Sequence, residues 1–292
     1  MSTARLIYAF DRVHTWLDVS DPHLPIDKLR ELCGGVDARV ATPKFHARWK
    51  YCVELFQPTV EALELFAESI PPTAAARIAS VEIACDVPNI GWRASRLLRD
   101  AFLGAARMKS QQQAVRRYKT VWYFGRRQQP KQSANEPAKG GRHVMALYVD
   151  RPSKLLNVRP DAHTPKAFHV EWRARQSDVV AGLGIVTVRD LVNFDHEQFW
   201  DCHVRMLTIP SQTRLGHILH SAAGRTHKVS GSALRKRAKS WRDEARINGK
   251  FVMHNALRGS LKLVRKLDSV PWPEWWTLTL ADIKSAPSDS VT

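Results

Sequence analysis

The chain has 292 residues, 44% hydrophobic and 9% aromatic, enough to bury the core of one large domain or two ordinary ones. Lys plus Arg total 45 against 28 Asp plus Glu, a formal charge of +17, which points to an anionic partner and first of all to nucleic acid. No apolar run approaches the roughly 18–20 residues that span a bilayer, and an acid stands in the N-terminal stretch at Asp11, so no membrane partner and no signal peptide are expected and a cytoplasmic location is.

In chain order, RLIYAFDRVHTWLDV (5–19) predicts a strand and IDKLRELC a short helix. RWKYCVELF predicts a second strand, and TVEALELFAES a helix opened by Thr59, whose hydroxyl suits an N-cap. RIASVEIACDV (77–87) is the next strand, followed by a long amphipathic helix with a basic face over 93–118. TVWYFGRR (120–127) and HVMALYVD (143–150) predict strands joined by a basic loop, and KAFHVEWRAR (166–175) another. TVRDLVNFDHEQFWDCHVRML reads as one further helix. Strands interleaved with helices, with several antiparallel neighbours, predict an α+β fold: a mainly antiparallel sheet with helices packed on one face.

After about residue 208 the character changes. Between Arg214 and Lys266 there are 14 Lys or Arg and two acids, Asp243 and Glu244. This predicts a basic, helical, DNA-binding region over 209–292, separate from an α+β domain over 1–208. The four cysteines, Cys33, Cys52, Cys85 and Cys202, are widely spaced with no CxxC pair, so reduced, mostly buried thiols are expected.

Period-two alternation sorts the strand residues by face. Glu82 and Asp86 share one face of their strand, Tyr148 and Asp150 one face of theirs, and His169, Glu171, Arg173 and Arg175 one face of a third. If the strands are neighbours, a tyrosine and several carboxylates meet on one side of the sheet. Carboxylates can hold a hard cation that polarises a phosphodiester, and a tyrosine can attack phosphorus to form a covalent adduct. The same acids could equally pair with Arg173 and Arg175.

The order SVEIACD, a helix, TVWYFGRR, ALYVDRPSK, FHVEWRAR resembles the replication initiation factor family. That family includes rolling-circle initiators of plasmids, relatives in filamentous phages and relaxase-like proteins of conjugative elements. The resemblance covers about residues 77–176. It implies an initiator that binds origin DNA, duplex and single-stranded, and nicks one strand through Tyr148, leaving a 5′-phosphotyrosine. It implies Mg²⁺ or Mn²⁺ held by Glu82, Asp86 and Glu171. Tyr123 and Gly125 match a structural T-x-Y-x-G strand. The acid after the tyrosine is displaced by one position (Tyr148-Val149-Asp150), Lys154 comes late, and no His-hydrophobic-His motif is present. Tyr118, in RRYKT, is the second choice of nucleophile. A homodimer is a family expectation, and unwinding after a nick requires a helicase supplied by the host. Phosphate contacts are expected from Arg126, Arg127, Arg235, Lys236, Arg237 and Lys239. Two other readings remain open: a phage or plasmid DNA-binding protein of related fold without the chemistry, and an RNA-binding sheet with Trp122 and Trp172 as stacking platforms.

Overall fold

The computed structural model describes residues 6–41, 48–88, 90–108, 115–118, 120–124, 142–155, 163–207 and 269–275. The chain divides into two compact units, one from 1–92 and 114–196, the other from 93–113 and 197–292.

The first unit is built on an eight-stranded sheet in the order β2-β3-β1-β4-β9-β8-β7-β6. These strands are β1 (Ile7–Leu17), β2 (Gly35–Val40), β3 (Tyr51–Phe56), β4 (Ala76–Val87), β6 (Val115–Tyr118), β7 (Val121–Phe124), β8 (His143–Tyr148) and β9 (Phe168–Arg175), the short β5 (Ala106–Met108) belonging to the second unit. Every neighbouring pair is antiparallel. The unit is therefore α+β with a mainly antiparallel sheet, as the interleaved pattern predicts. The central strands β1, β4, β9 and β8 are the four that carry the acids and the tyrosine.

One face of this sheet is greasy: Phe10, Val13, Val81, Ile83, Cys85, Met145, Leu147, Val170 and Trp172 are all buried. Each fully buried aliphatic or Phe side chain contributes roughly 1.5–3 kcal/mol relative to exposure. Helices α4 (Ser177–Ala181) and α5 (Val188–Val192) pack on β4, and α2 (Val60–Ser69) packs on α5. Phe10 meets Phe194, just past α5, with ring centroids 5.2 Å apart. The Thr59 hydroxyl caps α2 by accepting from the Ala62 N–H at 3.1 Å, and a reciprocal capping box of Thr187 and Asp190 opens α5. The remaining helix of this unit, α1 (Ile26–Leu32), buries Leu29.

Two predicted helices are shorter than their patterns suggest. Over 93–118 the helix α3 runs Gly91–Ala105 and gives way to β5 (Ala106–Met108), while Val115–Tyr118 forms β6. Val115 and Tyr118 pair with Phe124 and Val121 in a hairpin, where β-branched and aromatic residues favour a ladder over a helix. Tyr118 accordingly sits on the edge strand, two strands from β8, and not at a helix end. The segment from Thr187 to Leu207 likewise splits into α5, α6 (His196–His203) and β10 (Val204–Leu207). In the second unit β10 lies between β5 and β11 (Ser269–Pro271). Trp272 and Trp275 are buried beside it, with Trp272 edge-on to Phe102 at 4.9 Å.

Among the described residues no helix is long and apolar enough to cross a membrane. The expected basic region 209–292 lies outside the described residues except for 269–275, and so do Arg126, Arg127, Arg235, Lys236, Arg237, Lys239 and Gly125.

Candidate active site

The second face of the central strands is buried too, but it is polar. The pairing places Glu82 opposite Arg173, Asp86 opposite His169, and Ala84 opposite Glu171 across β4 and β9. Across β9 and β8 it places Tyr148 opposite His169. Glu82, Asp86, Tyr148 and Glu171 therefore share one side of three adjacent strands, together with His169 and Arg173.

A fourth acid comes from β1. Between Phe10 and Arg12 the β1–β4 register shifts by one residue: Phe10 pairs with Ile83, Arg12 with Glu82, and Asp11 is the extra residue. A bulge of this kind turns two successive side chains to the same side. Asp11 thus comes to lie beside Glu171 and Arg12 beside Glu82, while Phe10 and Val13 keep their places in the apolar core. Gln57 fastens the bulge. It lies just past β3 with φ at +43°, in the left-handed region, and its backbone N–H donates to the Asp11 carbonyl at 3.0 Å. Its side-chain amide donates to the Asp11 carbonyl at 3.1 Å and also to the Asp11 carboxylate. Gly34 makes room for that amide, since a Cβ there would lie 2.3 Å from the Gln57 Oε1.

Ligand atoms of Asp11, His169 and Glu171, all buried, lie within 4.8 Å of one another. Asp86 is fully buried behind His169: its carboxylate meets the imidazole Nδ1 and accepts from the Ser153 hydroxyl. The other ring nitrogen, Nε2, is 3.3 Å from Glu171 Oε2. A carboxylate bonded to one imidazole nitrogen fixes the ring and makes the other the better ligand. Asp86 is thus placed to orient His169, whereas Asp11 and Glu171 flank its other side. The Arg173 guanidinium donates to Glu171 through Nε at 2.6 Å and reaches Glu82 at 3.5 Å. Arg12 lies 3.8 Å from Glu82 on the other side.

The electrostatics follow from this crowding. Burial and the neighbouring Glu171 carboxylate push both Asp11 and Glu82 above their ordinary values. Burial would lift Glu171 as well, but His169 and Arg173 outweigh it and hold Glu171 down at about 2. Burial would lower His169, yet Asp86, by charge and hydrogen bond, and Glu171 hold the imidazole up at about 10. A proton on His169 therefore serves as the local counter-charge to the acids. A divalent cation can replace that proton, because metal binding and ligand deprotonation are linked. Two carboxylates and an imidazole within reach of one point, with an orienting acid behind the imidazole, fit such an ion.

Tyr148 lies against this cluster. Its ring stacks on His169, centroids 4.1 Å apart at 21°, and the Arg151 guanidinium sits over the ring at 4.5 Å. At those distances the two groups must occupy opposite faces of the phenol ring. Burial, then Glu171, Asp11 and Asp86, drive the Tyr148 pKa far upward against the weaker pull of Arg151. Asp150 does not join the cluster. It follows the end of β8 and lies 3.7 Å from Arg151. Tyr123 is nearby, its ring 6.0 Å from the Arg173 guanidinium.

Alternation along β4, β8 and β9 is enough to bring Glu82, Asp86, Tyr148 and Glu171 together. Asp11, Gln57 and Ser153 carry no such signal. His169 is visible in the sequence on the Glu171 face, and the Asp86 opposite it is what makes it a candidate ligand.

No model of a known protein family matches the chain, and no curated protein sequence matches it. Among solved structures the chain is similar to a rolling circle replication initiator protein from Geobacillus stearothermophilus. That likeness has a TM-score of 0.38 and 10% identity, and it covers 71% of this chain and 89% of the other. It is a loose likeness of shape, so the functional reading rests on this chain's own side chains.

Proposed function

We propose that the protein is a replication initiator that nicks one strand of origin DNA with Tyr148, assisted by a divalent cation held by Asp11, His169 and Glu171. The observation that carries this reading is the stack of Tyr148 on His169, at the edge of a buried three-ligand cluster. Among these acids the phenol resists ionising, so it needs a positive charge beside it to become a nucleophile. Asp11, His169 and Glu171 could hold a divalent ion, which would supply that charge and polarise the phosphodiester. The imidazole donor favours Mn²⁺ over Mg²⁺, which prefers an all-oxygen shell.

In the reaction the Tyr148 Oη–phosphorus bond forms and the bond from phosphorus to the 3′ oxygen breaks. The phenol proton passes to a neighbouring carboxylate, and the leaving 3′ oxygen takes up a proton to become a hydroxyl. Asp86 and Ser153 hold His169 in orientation throughout, Arg12 and Arg173 balance the charge of Glu82 and Glu171, and Arg151 is positioned to meet the incoming phosphate. The net charge of +17 suits an enzyme that must hold DNA during strand transfer. A homodimer and a host helicase remain part of the reading as partners of the replication step.

The burial of Tyr148, 6% exposed, favours a second reading in which the fold binds DNA without cutting it. One experiment separates the two. Purified protein is incubated with Mn²⁺ and a supercoiled plasmid carrying DNA from around its own gene, then digested and searched by mass spectrometry for a nucleotide-linked peptide. Nicked circles with an adduct on Tyr148 support the initiator. Tight, salt-sensitive binding with no nick supports the binding protein, and an adduct on Tyr118 keeps the activity while moving the nucleophile.

A further inference from the structure

A second cluster of unlike ligands lies on the same polar face of the sheet, three residues further along β1. His14 stands directly opposite Glu54 on β3, and Cys52 is two residues along from Glu54. One donor atom from each of the three lies within 4.8 Å of the others. The His14 Nε2 is 3.0 Å from the Cys52 sulfur. Cys52 is fully buried, His14 is half-buried, and the Glu54 side chain is 16% exposed. The cluster is thus buried at the thiol and reaches solvent at the imidazole and carboxylate.

The backbone beneath is held on both sides. β1 pairs with β3 in unbroken register across this stretch and with β4 on its other edge, where the register shifts between His14 and Thr15, so the donors sit on the continuous β1–β3 ladder. A tetrahedral ion with bonds of about 2.0–2.3 Å separates its ligand atoms by about 3.3–3.8 Å. The imidazole and thiol, at 3.0 Å, need only move apart by a few tenths of an ångström, and a rotamer change of the longer Glu54 would complete the set.

The charges around Glu54 also allow it to be released to an ion. It lies 3.4 Å from Arg39 and 3.8 Å from Arg12. Both guanidinium groups have a second acid: Arg39 pairs with Asp37, and Arg12 is 3.8 Å from Glu82. Taking Glu54 therefore strands neither cation. A thiolate and a carboxylate neutralise a divalent charge, leaving the site near zero.

We propose that His14, Cys52 and Glu54 form a divalent-metal site for a borderline-soft ion of the zinc class, with solvent in a fourth position. Sulfur and nitrogen donors select such an ion over Mg²⁺ or Ca²⁺. Burial pushes the Cys52 thiol up to about 11, with Arg39 opposing and Glu54 assisting, so the thiol by itself is inert and coordination is what would ionise it. The ion clasps β1 to β3. By drawing Glu54 away, it also leaves Arg12 to Glu82, beside the Asp11 cluster about 10 Å further along the strand.

The test is a Co²⁺ titration of the chelator-stripped full chain, followed by absorption spectroscopy. Wild-type protein should develop a thiolate-to-cobalt charge-transfer band whose limiting intensity corresponds to one thiolate-bound Co²⁺ per chain, whatever Co²⁺ the Asp11 cluster also takes up, and that is displaced by Zn²⁺. The band should vanish in Cys52→Ser, weaken with at least a tenfold loss of affinity in His14→Ala, and persist in Cys33→Ser, Cys85→Ser and Cys202→Ser. Far-UV circular dichroism checks that each variant is folded. If Cys52→Ser does not fold, the other three cysteine variants assign the band by elimination. Absence of the band in wild-type protein overturns the proposal, as does a band that survives in folded Cys52→Ser. Neither result depends on whether the protein nicks DNA.

Discussion

Two clusters share one face and one strand, yet they differ in how they are made. The Asp11–His169–Glu171 cluster needs a bulge and a left-handed Gln57 to turn its β1 acid into place, and it is buried on the four central strands. The His14–Cys52–Glu54 cluster is built on the regular β1–β3 register, the β1–β4 irregularity beside His14 lying on the other edge of the strand, and it stays partly open. The inner cluster concentrates like charges that resist burial; the outer one has each carboxylate and guanidinium in an exchangeable pair. Crowded, irregular and dry is the arrangement suited to chemistry, because strain and perturbed ionisation collect where function demands them. Regular and half-open is the arrangement suited to a clasp.

The largest effect that can break this contrast is at the nucleophile. Tyr148→Phe should abolish the covalent adduct and lower nicking by at least ~10³-fold, measured as conversion of supercoiled to nicked plasmid, while leaving fold and DNA affinity in place. Next, Glu171→Gln removes the acid that partners His169 and Arg173. Breaking a buried pair costs about 3–5 kcal/mol, so urea unfolding should show that loss along with loss of Mn²⁺ binding. Glu54→Gln, outside the buried network, should cost well under half as much.

A smaller effect sharpens the role of the bulge. Gln57→Ala leaves the Asp11 carboxylate without its amide donor, while the backbone N–H at position 57 still bonds the Asp11 carbonyl, and should cost about 1–3 kcal/mol. Mn²⁺ affinity and nicking should fall together by ~10–100-fold, as is usual when a partner that orients a ligand is lost. Gly34→Ala, which crowds the Gln57 amide, should do the same more weakly because a flexible side-chain end can shift. The Co²⁺ site at Cys52 should be unaffected by either.

The smallest effect is a pH dependence within the same unit but away from both clusters. His196 packs between Phe10 and Phe194. Burial lowers its pKa to about 4 against a weak opposing pull from Asp195, and its Nδ1 has no hydrogen-bond partner among the described residues. With the folded value below the ordinary 6.5, the unfolded chain takes up a proton first. Stability is therefore full above about pH 6.5 and falls toward pH 4, by at most about 1.4 kcal/mol per pH unit. His196→Phe should flatten that slope in thermal melts.

These particulars also show what could be read from sequence. The clean alternation of SVEIACDV, HVMALY and FHVEWRAR reveals which residues share a face, and antiparallel neighbours then bring Tyr148, Glu82, Asp86 and Glu171 together. Along β1 the same rule misleads. Strict alternation groups Asp11 with Val13, Thr15 and Leu17, all buried, and only the bulge moves it to the polar side. Gln57 is hidden for a related reason, since nothing in the strand end VELF (53–56) announces a left-handed residue after it. His14 and Cys52 are 38 positions apart, so their meeting depends on strand order. The overlong helices at 93–118 and 187–207 arose because an amphipathic pattern does not reveal where tertiary pairing takes over from local periodicity.

The most direct test of the central claim is where a catalytic ion binds. A crystal of the full chain soaked in Mn²⁺ should show an anomalous peak bonded to Asp11, His169 Nε2 and Glu171, with Asp86 on Nδ1 and the Tyr148 ring alongside. A saturating soak with no peak there, or one with the ion held only elsewhere while Asp11 and Glu171 share a proton, would contradict it.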